Sequence, residues 1–176
     1  GARDNLLEAH KKNPMDVTVL YYLAKACARS SWKEEGIAYM NKAFDMVVPT
    51  DSMMIRLYDG LLECYKFHTK ADPYEKIEVM KEAYSYTKRY TLFYQIAEIY
   101  DYQKDYVNAV HYYEKYMALV PKNKQVALDS EGNPLPNADT MYQKARRRVE
   151  KIKVEDFFRN GAHDDYFEPK LLKTVK

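Results

Sequence analysis

The sequence predicts an all-α fold, a short right-handed solenoid of antiparallel helix pairs closed by a C-terminal capping helix. Pro14 and Pro49 lie 35 residues apart, and Pro49 and Pro121 lie 72 apart, about two such steps. Small residues repeat as well, with Ala24 and Ala97 separated by 73 positions. Between these markers, apolar residues recur with the period of an amphipathic helix. Repetition at roughly 34 residues with that period is typical of stacked helix-turn-helix units.

Composition limits the functions that the chain can have. Its 176 residues are 47% hydrophobic and 31% charged, which is enough to bury a core and too polar for a membrane protein. The sequence contains no run of about 18 apolar residues, so we expect a soluble chain, either cytoplasmic or exported. The formal net charge of +2 argues against a surface dedicated to nucleic acid.

The array is expected to begin with half a repeat. Residues 1–14 have the phase of a second repeat helix without its first helix, so we expect Leu6 to pack near Leu20 and Leu23. A full repeat is predicted over residues 17–50, where two amphipathic helices flank a short polar turn. Its apolar positions are Leu20, Leu23, Ala24, Cys27, Ile37, Met40, Ala43, Phe44 and Val47.

Two further repeats are predicted over residues 51–89 and 90–123. The first of these has a longer turn between its helices, and Pro73 suits the first turn of its second helix. Its apolar positions are Met54, Tyr58, Leu61, Leu62, Tyr65, Ile77, Met80, Ala83 and Tyr84. The apolar positions of the last repeat are Phe93, Ile96, Ala97, Tyr100, Tyr106, Ala109, Val110, Tyr113 and Met117.

These units resemble the tetratricopeptide repeat (TPR) family, most completely over residues 90–123. Phe93 stands at the family's tryptophan-type position, and Ile96 and Ala97 replace its Leu-Gly pair. The remaining signature positions hold Tyr100, Tyr106, Ala109, Tyr113 and Pro121, and only Tyr116 departs, where the family prefers alanine. The resemblance covers roughly the first 120 residues and implies a non-catalytic module that binds proteins. The tyrosine-rich composition is similar to that of bacterial TPR proteins of the Bacteroidetes type.

The pattern changes after Asn123. Residues 124–137 contain glycine and prolines that predict a loop, with a turn at residues 131–133. A capping helix is predicted over residues 138–160, with Asn137 or Asp139 as its N-cap and Asn160-Gly161 as its stop. The tail, residues 161–176, is expected to pack on the last helix or into a groove through Tyr166, Phe167, Leu171 and Leu172.

We find no residue pattern for catalysis, for a metal or for a cofactor. The four histidines share no metal-ligand spacing. Cys27 and Cys64 occupy the same late position on the first helix of their repeats, where we expect small buried thiols. The segment after Asp129 resembles a calcium loop but holds Pro134 where such a loop needs glycine. We therefore expect a protein that is not an enzyme and uses no cofactor.

Tyrosine indicates where a partner would bind. The chain has 18 tyrosines against one tryptophan, and part of them fall outside the core positions of the repeats. These share the groove-lining face of the first helices, as known for TPR proteins, with residues of both charges. Tyrosine with mixed charge is typical of protein-binding surfaces. The predicted groove residues, expected to lie outside the core, are Tyr21, Lys25, Arg29, Arg56, Asp59, Glu63, Tyr94, Glu98 and Tyr102.

The expected partner is a protein or peptide segment, and self-association is a further option. Some TPR proteins clamp a terminal carboxylate with lysine, arginine and asparagine at fixed positions. The matching positions here hold Tyr21, Lys25, Gly60, Thr91 and Gln95. With one basic residue left, that type of peptide binding is disfavoured.

An alternative function is anion or RNA binding through the capping helix. Its most basic stretch places four cations on one helical stripe, which could contact phosphates. The opposing interpretation is an ordinary solvated face that nearby carboxylates neutralise. The stripe residues are Lys144, Arg147, Arg148 and Lys151.

Overall fold

The computed structural model describes residues 1–47, 50–135 and 138–161, and helices dominate these ranges. The chain divides between Lys88 and Arg89 into two compact units, which are described in turn. Within the described ranges, none of the helices is both long and apolar enough to cross a membrane. The four apolar tail residues that were expected to pack lie outside the described residues.

The first unit consists of one single helix followed by two helix pairs. Its helices are α1 (Ala2–Lys12), α2 (Val17–Ala28), α3 (Lys33–Asp45), α4 (Asp51–Phe67) and α5 (Pro73–Thr87). Helix α1 packs against α2, so the first residues are neither detached nor extended, and Leu6 is half-buried. Side-chain caps define the starts of three helices: Asp16, Thr50 and Asp72 each accept a hydrogen bond from a backbone N–H of the following turn.

Helices α2 and α3 approach closely because Gly36 has no side chain. A Cβ atom at this position would lie 2.9 Å from the backbone oxygen of Ala24 and 3.0 Å from the backbone nitrogen of Ala28. Real Cβ atoms do not come so close to backbone atoms, so any larger residue would force the two helices apart. The small residues that mark the repeat in the sequence therefore mark its tightest helix contact.

The pair α4 and α5 departs from this arrangement. Met80 and Ala83 are buried like Met40 and Ala43, each 40 residues earlier, and the same offset places Lys76 where the preceding repeat has Gly36. The Lys76 side chain is half-buried, and burial lowers its pKa. The repeat position that allows close approach of α2 and α3 thus holds a long side chain in the pair α4 and α5.

The second unit consists of α6 (Thr91–Tyr102), α7 (Tyr106–Leu119) and α8 (Met141–Asn160). The turn from α6 to α7 is tight, with Lys104 in the left-handed region at a φ of 61°. Packing between α6 and α7 is largely aromatic, and Tyr100, Tyr113 and Tyr116 are all buried. The departure from alanine at Tyr116 therefore places a large buried ring in this core.

Helix α8 begins later than the sequence predicts. Thr140 is its N-cap, since its hydroxyl accepts from the Gln143 backbone N–H while the Gln143 side chain accepts from the Thr140 backbone N–H. The predicted cap Asp139 is instead paired with Arg147, and Asn137 lies outside the described residues. Helix α8 packs on α7 through Ala145, Val149 and Ile152.

The loop before α8 contains the predicted turn. Leu128 and Pro134 form an isolated antiparallel bridge, and Gly132 lies between them with a φ of 86°. The Asp129 carboxylate accepts hydrogen bonds from the backbone N–H groups of Glu131 and Asn133. The Asp129 carboxylate thus stabilises the turn through hydrogen bonds to its backbone, as expected for a turn.

Candidate partner-binding surfaces

Six predicted groove residues lie in the first unit, where we call them the Tyr21 patch. Its members are Tyr21, Lys25, Arg29, Arg56, Asp59 and Glu63. Helices α2 and α4, which pack against each other, supply five of them, and Arg29 is the C-cap residue of α2. The patch therefore combines one aromatic ring with three cations and two carboxylates across two neighbouring helices.

Tyr21 lies between two of these cations. The Lys25 Nζ is 5.2 Å from the centroid of the Tyr21 ring, and the Arg56 guanidinium carbon is 4.9 Å from it. Both distances are within the range of a cation–π interaction. The ring thus has its basic neighbours within this chain, and its aromatic face is largely occupied.

Tyr21 packs against the core of the first unit without being one of its buried residues. It is half-buried and contacts the buried cluster of the first unit. Gly60 on α4 makes room for it, because a Cβ atom there would lie 2.6 Å from Cε2 of Tyr21. Gly60 is buried under the ring and is not available to a bound peptide.

Glu63 holds the charged part of the patch together. Its carboxylate pairs with Lys25 at 2.8 Å and also with Arg29. Partial burial acts to raise the pKa of Glu63, but the hydrogen bonds from Lys25 and Arg29 outweigh it and hold the pKa below its ordinary value. The Glu63 hydrogen bond is in turn the main cause of the raised pKa of Lys25.

The other three predicted residues lie in the second unit, beside a surface groove that we call the Tyr102 groove. It has a volume of about 370 Å³ and is lined by Glu98, Asp101, Tyr102 and Tyr113. Tyr102 ends α6 and is 86% exposed, whereas Tyr113 on α7 is buried and forms the floor. The groove therefore presents an exposed aromatic ring beside two carboxylates.

Tyr94 lies behind the groove and is part of the packing. It is half-buried, and its ring makes edge-on contacts with Tyr113 at 5.5 Å and with Tyr116 at 5.3 Å between ring centroids. Burial raises its pKa, and the Glu98 carboxylate beside it raises the pKa further. Tyr94 thus packs against buried core tyrosines without being fully buried itself.

Two groove-lining residues, Asp101 and Tyr113, are absent from the predicted site. Asp101 follows Glu98 by three positions, so the helical phase that predicted Glu98 also indicated Asp101. Tyr113 is predicted to be a core residue, and it is buried. Its hydroxyl oxygen nevertheless reaches the groove, where it lies 3.4 Å from Oδ2 of Asp101. The sequence does not show which edge of a core tyrosine reaches a surface.

The basic stripe of α8 is largely paired with carboxylates. Arg148 binds Asp101 in a bidentate ion pair with both contacts at 2.6 Å, and Arg147 is bidentate with Asp139. Lys151 is 3.8 Å from Glu155. These pairs neutralise most of the stripe, so phosphate binding along α8 is not favoured.

The two cysteines and the described metal-ligating side chains offer no second candidate site among residues 1–47, 50–135 and 138–161. Cys27 and Cys64 are both buried free thiols, and burial raises the pKa of Cys64 to about 12, so a reactive thiolate is disfavoured. Across the described ranges, no group of three or more metal-ligating side chains occurs.

Comparisons with known proteins identify the fold. No protein-family model matches the chain, and no curated protein matches it in sequence. Two solved structures of MamA, a protein of TPR fold, are similar to it. One is 16% identical, with a TM-score of 0.54 over 90% of this chain and 89% of that chain. The other is 15% identical, with a TM-score of 0.52 over 93% and 87%.

The chain has an all-α helical-repeat fold. At these sequence identities the similarity to MamA concerns the fold alone, and function has to be argued from surfaces. The helix pairs α2–α3, α4–α5 and α6–α7 are the repeating elements, and α8 packs on the last of them.

Proposed function

We propose that this chain is a non-catalytic protein-interaction module that binds a protein or peptide segment, with the Tyr21 patch of the first unit and the Tyr102 groove of the second unit as its candidate contact surfaces. The observation that carries this proposal is the Tyr102 groove. Its volume is about 370 Å³, and the Tyr102 side chain beside it is 86% exposed. Exposed tyrosine at a concave surface is typical of protein recognition because the ring offers large contact area and a polar tip.

The charges of the two surfaces support a partner segment with residues of both signs. The Tyr21 patch has three cations against two carboxylates, whereas the carboxylates of the Tyr102 groove outnumber the single Arg148 guanidinium that reaches them. Complementary charge steers association and selects partners. A polyanion would meet repulsion at the Tyr102 groove, so we favour a protein segment of mixed polarity.

Partner capture tests this proposal. The full chain is immobilised and exposed to a lysate of the source organism, and captured proteins are quantified by mass spectrometry. The variant combines Tyr102→Ala with Arg29→Ala, because both side chains are largely exposed and their removal leaves the core intact. Truncating a central interface tyrosine typically costs about 2 kcal/mol, roughly a thirtyfold loss of affinity.

The matched control is Tyr74→Ala, which removes another exposed tyrosine from the second helix of a pair. We expect the control to capture the same proteins as the unaltered chain and the groove variant to lose them, with equal thermal melting for all three. Capture that survives the groove variant, or is lost only with Lys144→Ala and Lys151→Ala, would contradict the proposal.

A further inference from the structure

We propose that the Tyr102 groove binds a lysine or arginine side chain of the partner as its anchoring residue. This inference rests on the proposed function and names the chemistry that one of its two surfaces recognises. The groove combines an acidic wall, Glu98 and Asp101, with the exposed Tyr102 ring and the buried Tyr113 floor. Carboxylates with aromatic rings form the surroundings that stabilise an organic cation.

Glu98 supplies the free negative charge of the groove. Glu98 is exposed, and in the part of the chain that the structure describes it forms no ion pair, although the Lys144 ammonium acts on it from a longer distance and lowers its pKa. Partial burial is the main cause that raises the pKa of Glu98, and the neighbouring Asp101 carboxylate raises it further, while Tyr94 and Lys144 lower it. A cation beside Glu98 would counteract the repulsion from Asp101.

Arg148 shows how the acidic wall recognises a guanidinium. Its Nε and one terminal nitrogen each lie 2.6 Å from an Asp101 carboxylate oxygen, a bidentate arrangement. This internal arginine satisfies Asp101 and leaves Glu98 on the same wall for a cation from outside. The groove is shallow and open to solvent, and Tyr102 offers its ring along the open side.

The Tyr21 patch provides an internal contrast. There the tyrosine ring is already contacted by Lys25 and Arg56, and Glu63 is paired with two cations of the same chain. In that patch, cations of the same chain already contact the tyrosine ring and pair with Glu63. The two surfaces use the same residue types, but among the described ion pairs Glu63 of the Tyr21 patch has two cations, whereas Glu98 of the Tyr102 groove has none.

A pair of matched probes tests this inference on the full chain. Backbone amide resonances are followed by NMR during titration with acetyl-Gly-Arg-Gly-amide and with acetyl-Gly-citrulline-Gly-amide, which has the same shape without the charge. We expect the arginine probe to bind with a dissociation constant on the order of 1 mM, shifting resonances of residues 98–103. The citrulline probe should bind more weakly, by up to about fivefold, because one ion pair at a partly exposed site contributes only modestly to affinity.

Two variants decide whether Glu98 is responsible. Glu98→Gln should weaken the arginine probe by a similar factor, whereas Glu114→Gln, which removes a carboxylate of α7 that pairs with Lys153, should leave it unchanged. Equal binding of both probes, undiminished binding to Glu98→Gln, or shifts confined to other residues would overturn the inference. Partner capture that depends on Tyr102 would then still support the proposed function, so the two failures are distinguishable.

Discussion

At the scale of single residues, Glu63 is the link that joins α2 to α4 on the groove side. Its carboxylate pairs with Lys25 and Arg29, so one acidic residue orients two basic residues of the neighbouring helix. Lys25 in turn lies over Tyr21. A change at Glu63 therefore affects the arrangement of the whole Tyr21 patch and not only one ion pair.

Glu63→Gln should lower stability in a pH-dependent way. Because the pKa of Glu63 is depressed in the folded state, its contribution is fully present above its ordinary pKa, about 4.5, and is lost as the pH falls through the folded value. At neutral pH we expect the variant to be less stable by about 1 kcal/mol, the worth of a partly exposed ion pair. The difference should close in acid.

Urea unfolding of both proteins between pH 7 and pH 3 measures this difference. The control is Glu78→Gln, whose carboxylate pairs with Lys81 on an exposed stretch of α5 and should change stability little at any pH. A stability difference for Glu63→Gln that stays constant down to acid pH would show that the carboxylate charge is not the cause.

Gly36→Ala should destabilise the chain far more than Gly60→Ala, although both glycines are buried within helices. At Gly36 the added Cβ would meet backbone atoms of α2, which cannot move separately, so we expect Gly36→Ala to cost about 1–3 kcal/mol. At Gly60 the neighbouring atoms are the ends of the Met40 and Tyr21 side chains, which can shift. The helix propensity gained from alanine, about 0.5–1 kcal/mol, then largely offsets the cost.

Thermal melting followed by circular dichroism separates the two variants. Gly36→Ala should melt clearly lower than the unaltered chain, and Gly60→Ala should melt close to it while displacing the Tyr21 ring. Similar melting of both variants would mean that the α2–α3 contact is not limited by backbone approach.

At the scale of elements, α8 is held by an apolar stripe and by two ion pairs to the helices before it. Ala145, Val149 and Ile152 are buried, while Arg148 reaches Asp101 and Lys153 reaches Glu114 at 2.7 Å. Of the stripe residues that the sequence suggested for phosphate binding, Arg148 thus attaches α8 to α6.

Arg148→Lys should weaken that attachment although it preserves the charge. Lysine presents a single ammonium group and cannot form the bidentate contact with Asp101, so we expect a loss of about 1 kcal/mol. Arg146→Lys is the control, because Arg146 pairs with Glu150 within α8 and its side chain is 67% exposed. Chemical denaturation that detects equal stability for the two variants would contradict a structural role for Arg148.

Element by element, the local features were predictable and the long-range ones were not. Apolar periodicity predicts each helix pair, and Pro73 does start a helix as its position indicates. The predicted N-cap of α8 is wrong because Thr140, like Asn137 and Asp139, is a favourable capping residue. Thr140 caps the helix together with Gln143, while Asp139 pairs with Arg147. Which of several capping residues is used depends on the side chains around it, so the residue type at one position does not predict it.

At the scale of the whole molecule, the repeat phase predicted which face carries the candidate surfaces, but not how each residue is used there. Tyr21 and Tyr94 are on the predicted face and are nevertheless half-buried, since Gly60 in one unit and the Tyr113–Tyr116 pair in the other accommodate their rings. Such contacts join residues that are distant in sequence. A periodic pattern specifies a face of a helix and not its neighbours.

Site-specific photocrosslinking tests the central claim, that the groove faces of the first helices bind the partner. A photoreactive benzoylphenylalanine replaces Tyr102 on α6 in one protein and Tyr74 on α5 in another, since both tyrosines are exposed. Irradiation in a lysate of the source organism should give a discrete covalent adduct from position 102 and none from position 74. An adduct from position 74 alone would place the binding surface on the second helices and contradict the account.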